Sequence, residues 1–158
     1  MIFLPYPDFK KSAANLDDFR LCHQRKVAKQ IIDNLTKKRP DPKVMAHPAV
    51  KMWEGCVDSL KVYHDILIKE WIGRGKKNTM KLMATKLDPK KVKNPWWFGI
   101  KELHRSHRAV LISKFPALYG KMFDKQDKDY NDNERWWPIK NNRTLVTITG
   151  SKMKTKNR

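Results

Sequence analysis

Acidic residues are the first shortage in this chain. Its 158 residues hold 16 Asp and Glu against 35 Lys and Arg, a formal charge of +19. A protein this positive repels itself when compact, so the excess makes sense opposite a polyanion. DNA, RNA and an anionic membrane surface all qualify on charge. Long apolar runs are also missing: nothing approaches the roughly 18 residues that span a bilayer. The opening Met-Ile-Phe-Leu-Pro-Tyr-Pro has neither the long apolar core nor the small-residue cleavage site of a signal peptide. A protein of the cytoplasm, nucleoid or nucleus, or one packaged in a virion, is expected rather than a secreted one. Only two cysteines occur, Cys22 and Cys56. One pair in a chain of this size reads as reduced thiols more than as a disulfide. There is no C-x-x-C and the histidines are scattered, so no metal site is expected. Glycine is sparse, with no Gly-rich nucleotide loop and no G-x-S-x-G, and no cofactor is implied.

What is present is enough apolar content, 40%, for one domain with a real core. Pro5 and Pro7 fix an extended lead-in. The stretch from Leu16 to Gln30 then reads as the first half of a helix that continues through Ile31, Ile32 and Leu35, with Ser12 or Asn15 as its cap. On a helical wheel Leu21, Ala28, Ile31, Ile32 and Leu35 share one apolar arc, and Gln24 falls inside it. Arg20 and Arg25 border the arc, with Asp17 and Asp18 one turn earlier. An inward polar group costs stability unless it is hydrogen-bonded. The cluster is either a capping and salt-bridge arrangement or the border of a polar site. The site is favoured because capping leaves Gln24 unexplained.

A second helix is expected from His47-Pro48, with the stripe Trp53, Cys56, Val57, Leu60, His64, Leu67 and Trp71, stopped by Gly73 and Gly75. A third carries Ile100, Leu103, His107, Val110 and Leu111 on one face, and Phe115-Pro116 ends or kinks it before a further turn or two over Ala117–Phe123. A histidine inside an apolar stripe is more often a hydrogen-bonded core residue than a functional one. Yet Gln24, His64 and His107 put one polar residue on each stripe. If the stripes converge, the three share one internal polar cluster.

The connections are basic and aromatic. Residues 37–43 form a proline-broken basic turn. From Lys69 to Lys93, nine Lys and Arg meet two acids, with room for a short helix around Met80, Leu82, Met83 and Leu87. This run is either a solvated loop or a phosphate-tracking surface, and the overall charge favours the second. Residues 124–135 read as a charged loop, Thr144–Thr149 as one short strand, and Ser151–Arg158 as a disordered basic tail. The expected fold class is all-α: a compact single domain of three main helices with long basic and aromatic loops. It occupies residues 1–138, followed by a basic C-terminal extension, 139–158, partly disordered. Lys26, His47, Arg74, Lys76, Lys77, Lys90, Lys91, His104 and Arg108 are candidate nucleic-acid contacts. Trp96, Trp97, Trp136 and Trp137 are candidate stacking surfaces for bases. Tryptophan pairs are more often core, so at most one of the two pairs is taken as functional.

Four motifs then recur in a recognisable order: Phe3-Leu-Pro-Tyr-Pro-Asp-Phe9; Leu16-Asp-Asp-Phe-Arg-Leu21 with Gln24-Arg25; His47-Pro-Ala-Val-Lys-Met-Trp53; and Ser106-His-Arg108 with Pro116 and Tyr119. Together they resemble the pyrimidine-dimer DNA glycosylase family, in a bacterial and viral branch of endonuclease V-like proteins, over about Met1 to Pro138. The resemblance implies a compact three-helix fold and a base-excision glycosylase and AP lyase acting on double-stranded, possibly damaged DNA. Its nucleophile would be an N-terminal α-amine that attacks C1′ of the sugar to form a Schiff base, with a first-helix glutamate assisting and β-elimination nicking the strand. Such an amine has a pKa of about 7.7–8.0, so a useful neutral fraction exists near pH 7. The implied catalytic set is Met1, Asp18, Arg20, Gln24, Arg25 and His107.

Two departures stand out. Residue 2 is Ile, which leaves the amine on Met1. Relatives in this branch read Gln-Arg-Val-Glu-Ala where this chain reads Gln24-Arg25-Lys26-Val27-Ala28. The glutamate position is therefore Val27, and Asp18 is the nearest substitute. Three functions follow in order of preference. They are a metal-free glycosylase and lyase, a catalytically silent DNA-binding or packaging protein on the same fold, and an RNA-binding protein. The chain would act as a monomer or within a nucleoprotein assembly, with no membrane partner.

Overall fold

The computed structural model describes residues 2–123, 127, 136–139, 144–146 and 152–154, and for 139, 144–146 and 152–154 the backbone alone. Among the described residues the protein is all-α in character, with seven helices and three strands of three residues each. It divides into two compact units, Met1–Phe3 with Asp8–Pro95, and Leu4–Pro7 with Trp96–Arg158.

The first unit is built on two long helices. Helix α1 (Phe9–Ala14) starts at Asp8, whose carboxylate accepts from the Lys11 N–H. Helix α2 (Asp18–Thr36) starts in the same way at Asp17, on the Arg20 N–H. The caps are therefore these aspartates rather than Ser12 or Asn15: Ser12 lies inside α1, and Asn15 closes its C-terminus. A carboxylate serves better than a hydroxyl or amide here, since it both accepts an orphan N–H and meets the positive end of the helix dipole. Leu21, Ala28, Ile31 and Ile32 are the buried apolar face of α2, which packs on α5.

The expected second helix is broken. Short helices α3 (Pro42–Ala46) and α4 (Pro48–Lys51) each begin with Pro at the first position, after the caps Asp41 and His47. The chain then turns at Gly55, whose φ of +75° suits glycine, before α5 (Val57–Gly73). Trp53 is fully buried but is not a residue of α5, and Cys56 only precedes it. The apolar spacing continues across Gly55 although the helix does not. Gly75, also at φ +75°, follows the far end of α5, as the two-glycine stop implies.

From Lys76 to Ile100 the backbone makes turns and no helix, so the short helix considered around Met80–Leu87 does not form. Part of this segment is held by a buried carboxylate instead. Asp65 accepts from the N–H groups of Met83 and Ala84, each at 2.8 Å, and contacts His64 Nδ1 at 3.0 Å. Further on, Ser59 donates to Asn94.

The second unit holds α6 (Lys101–Lys114) and α7 (Pro116–Met122), packed on one another. They are separated at Phe115, which precedes proline and is excluded from helical backbone for that reason. Strands β1 (Trp137–Ile139), β2 (Thr144–Val146) and β3 (Lys152–Lys154) pair antiparallel in that order. Thr144–Val146 answers the expected strand. Lys152–Lys154, read from sequence as tail, pairs with it from Thr144↔Lys154 to Val146↔Lys152. The charged loop expected at 124–135 lies outside the described residues apart from Asp127.

Replacing Asp65 with Ala strands two backbone donors in a buried place. The expected loss is about 3 kcal/mol, at the upper end for a buried hydrogen-bonded charge. Urea unfolding of the variant against the parent checks it.

Candidate active site

The N-terminal segment is buried, and among the described residues no strand pairs with it. Ile2 and Leu4 are fully buried. Backbone groups so placed need partners, and side chains supply them. In the first unit, Gln24 accepts from the Phe3 N–H through Oε1 at 2.7 Å and donates through Nε2 to the Phe3 carbonyl at 2.8 Å. The amide thus pairs with Phe3 as a neighbouring strand would. Nε2 also lies 2.6 Å from the Tyr63 hydroxyl, which donates to the same carbonyl at 2.9 Å. Phe9 stacks on the Tyr63 ring, with centroids 4.8 Å apart. Burial drives the Tyr63 pKa strongly upward, so the hydroxyl stays neutral and remains a donor.

In the second unit two histidines of α6 do the same for Leu4. Its N–H donates to His107 Nδ1 at 2.9 Å, and its carbonyl accepts from His104 Nδ1 at 2.7 Å. His104 Nε2 in turn accepts from the Gly99 N–H at 3.1 Å. One nitrogen donates and one accepts, so the ring is neutral, and burial pushes its pKa down, against the pull of the Leu4 carbonyl. Arg108 donates to the Pro5 carbonyl at 2.7 Å, grips Asp127 through two nitrogens, and lies over the Tyr6 ring.

These contacts explain the inward polar residues on two of the three stripes. Gln24 and His107 hold consecutive residues of the chain's own start. His64 does not join them. It is fully buried and paired with Asp65, and burial lowers its pKa despite that carboxylate. Within the first unit, Gln24 and His64 thus have different hydrogen-bond partners.

The other catalytic candidates divide. Met1 lies outside the described residues. Asp18 is half-exposed and bound by Arg74 at 3.0 Å and Lys76 at 2.8 Å. The Lys76 ammonium and the Arg74 guanidinium hold its carboxyl below the usual carboxylate range. An aspartate so paired stays ionised and is a poor proton carrier. Arg20 is buried against Asp17. Arg25 is buried, donates to Asn78 at 3.0 Å, and lies 4.2 Å from the Trp71 ring centre. Val27 is half-buried on α2, one turn beyond Gln24, and brings no ionisable group there.

Among the nucleic-acid candidates, Lys26, Lys76, Lys77, Lys90 and Lys91 are exposed. His47 is exposed too, but its Nδ1 accepts from the Ala49 N–H as the cap of α4. Arg74 serves the scaffold. Its guanidinium donates to the carbonyls of Ala14 and Leu16, at the end of α1, as well as to Asp18 and Glu70. Trp97, His104 and Trp136 are buried and offer no face to a base in this conformation, whereas Trp96 and Trp137 are half-buried. Arg108 is committed to Asp127 and Pro5. Tyr63, Asn78 and Asp65 were not singled out from sequence. Of these only Tyr63 left a signal, at helical spacing from Leu60 and Leu67. No group of three or more His, Cys, Asp or Glu among the described residues could hold a metal ion. None of their helices is long and apolar enough to cross a membrane.

These features define a helical, strongly basic protein in which, in the first unit, Phe3 is held by polar side chains of α2 and α5 and, in the second, Leu4 is held by two histidines of α6. The model of the pyrimidine dimer DNA glycosylase family matches residues 1–84, and the chain belongs to that family. No curated protein and no solved structure matches it. The family match contains the Gln24 clasp and ends before Ser106-His-Arg108.

The neutral His104 carries a pH dependence. Its folded pKa lies below the ordinary 6.5, so between the two values the unfolded chain binds the extra proton. Stability is fully present above about pH 6.5 and falls as the pH drops toward the folded pKa. Buried His64 acts in the same direction. The urea midpoint is expected to decline from pH 7.5 to pH 5, and His104→Gln should shallow that decline.

Proposed function

We propose that this protein binds duplex DNA and acts on damaged sites as a glycosylase and AP lyase, with the α-amine of Met1 as nucleophile. The observation that carries the reading is the anchoring of Phe3 by Gln24 and Tyr63, within the segment matched by the family. A nucleophile on a chain terminus needs that terminus held, because an unrestrained end gives up the advantage of orientation. In the proposed reaction the neutral amine attacks C1′ of the damaged nucleotide and the base departs. The C1′–O4′ bond of the resulting aminal then opens, with a proton passing from the nitrogen to O4′ by way of solvent, and an iminium is left between the amine nitrogen and C1′. At an abasic site the same iminium forms by loss of water from the carbinolamine. A proton is then lost from C2′ and the 3′ phosphate is expelled. The exposed lysines hold phosphates, and the target nucleotide leaves the stack so that the amine can reach it.

A specific observation favours a second reading, a catalytically silent DNA-binding or packaging protein. Position 27 carries Val where the family resemblance implies a carboxylate, and the alternative, Asp18, is tied to Arg74 and Lys76. Neither residue is placed to shuttle a proton, so the amine would work without that help. The silent protein would still bind DNA in a salt-sensitive, sequence-tolerant manner.

Borohydride reduction separates the two. The chain is incubated with duplexes carrying a pyrimidine dimer or an abasic site, alongside a form with a blocked N-terminus. An active enzyme yields a covalent adduct that the block abolishes. Val27→Glu, which restores a carboxylate one turn from Gln24, should raise the trapping rate by about a hundredfold, the usual scale of general acid–base assistance. Salt-sensitive binding with no adduct from either form would leave the silent reading.

A further inference from the structure

Phe19, on the first turn of α2, is the most exposed of the large apolar side chains among the described residues, at 75%. A lone exposed apolar residue is ordinary. The surroundings of this one are not. Phe19, His23, Lys26 and Gln30 recur at helical spacing, and all four are exposed, so they form one outward face of α2. The basic segment that follows α5 meets α2 at Asp18 and Arg25, the residues just before Phe19 and Lys26. It is fastened to α2 by Lys76 and Arg74 on Asp18 and by Asn78 on Arg25. The carbonyl of Lys77 is held by the Trp71 indole N–H. The nearby carboxylates Asp17, Asp18 and Glu70 are each paired with a cation. Lys26 and Lys77 are exposed and make no ion pair among the described residues. This face of α2 therefore presents an exposed aromatic ring two turns from the unneutralised ammonium of Lys26, with the exposed Lys77 on the segment that Asp18 and Arg25 hold.

That combination suits nucleic acid at a place where stacking is interrupted. Cations hold the phosphates, and an aromatic ring fills a gap in the stack with little regard for sequence. We propose that Phe19 is the base-contacting wedge of this protein, stacking on the unpaired base left opposite a damaged or missing nucleotide, with Lys26 and Lys77 on the flanking phosphates. The inference rests on the DNA-binding reading above and extends it to a residue outside the clasp and outside the implied catalytic set. Acidic protein surfaces also attract lysines, but they give an aromatic side chain no reason to discriminate between intact and gapped DNA.

The test measures binding of the full chain by fluorescence anisotropy to two duplexes. One is intact, and the other carries a tetrahydrofuran abasic analogue opposite 2-aminopurine. Phe19→Ala should weaken binding to the abasic duplex by about tenfold, and Phe19→Trp should restore it, within the range found for single base–aromatic contacts. The intact duplex should be affected less than about twofold, since its phosphate contacts remain. The change in 2-aminopurine fluorescence on binding should vanish in Phe19→Ala and return in Phe19→Trp. Unaltered abasic binding and 2-aminopurine response in Phe19→Ala would overturn this inference and leave the DNA reading standing. Failure of the unmodified chain to bind either duplex would remove both.

Discussion

A buried segment of backbone whose polar groups are met by side chains is the constraint on which the rest of this structure depends. The residues from Ile2 to Pro5 leave water before any regular element begins, and their N–H and carbonyl groups would be costly if left alone. Gln24 and Tyr63 satisfy Phe3, His104 and His107 satisfy Leu4, and Arg108 satisfies the Pro5 carbonyl. Each of these side chains occupies a place on a long helix that an apolar residue would otherwise fill. The helices forgo some apolar burial there, and in return the first residues of the chain are fixed.

The same region shows a division of labour among charges. Arg74 gathers carbonyls from the end of α1, together with Asp18 and Glu70, and so joins the end of α5 to the start of α2. Arg25 stacks on Trp71 and holds Asn78. These arginines are consumed by the scaffold, whereas Lys26 and Lys77 are exposed and make no ion pair among the described residues. Asp18 is a counter-ion in this arrangement. The proposed chemistry would thus draw its orientation from the clasp and its electrostatics from lysine. It would receive no proton transfer from a first-helix carboxylate.

Much of the helical framework was legible in the sequence because apolar spacing, proline and glycine act locally. The stripes on α2, α5 and α6, the stop at Gly73–Gly75 and the break at Phe115-Pro116 all follow from residues a turn or two apart. Reading failed where spacing outlived the helix, across Gly55, and where Met and Leu in a basic run looked helical but Asp65 held the backbone in turns. Gln24 was legible as an anomaly. Its partner was not, because the residue it binds lies 21 positions earlier and carries no pattern of its own. That Arg74 binds carbonyls at the end of α1 and that Trp97 is buried was not legible for a related reason. Composition gives charge and aromaticity, whereas only the folded chain shows whether a side chain faces water or the carbonyls of another helix. Phe19 escaped notice because an aromatic next to a helix cap reads as core until its exposure is known.

The central claim is that the chain's start is held by side chains as firmly as a strand is held by its sheet. Amide hydrogen exchange at Phe3 and Leu4, followed by NMR at neutral pH, tests it most directly. Protection of both amides to the level of buried amides in the middle of α2 and α5 is the result the clasp requires. Exchange of either amide at the rate of an unstructured chain, while α2 and α5 stay protected, would contradict it.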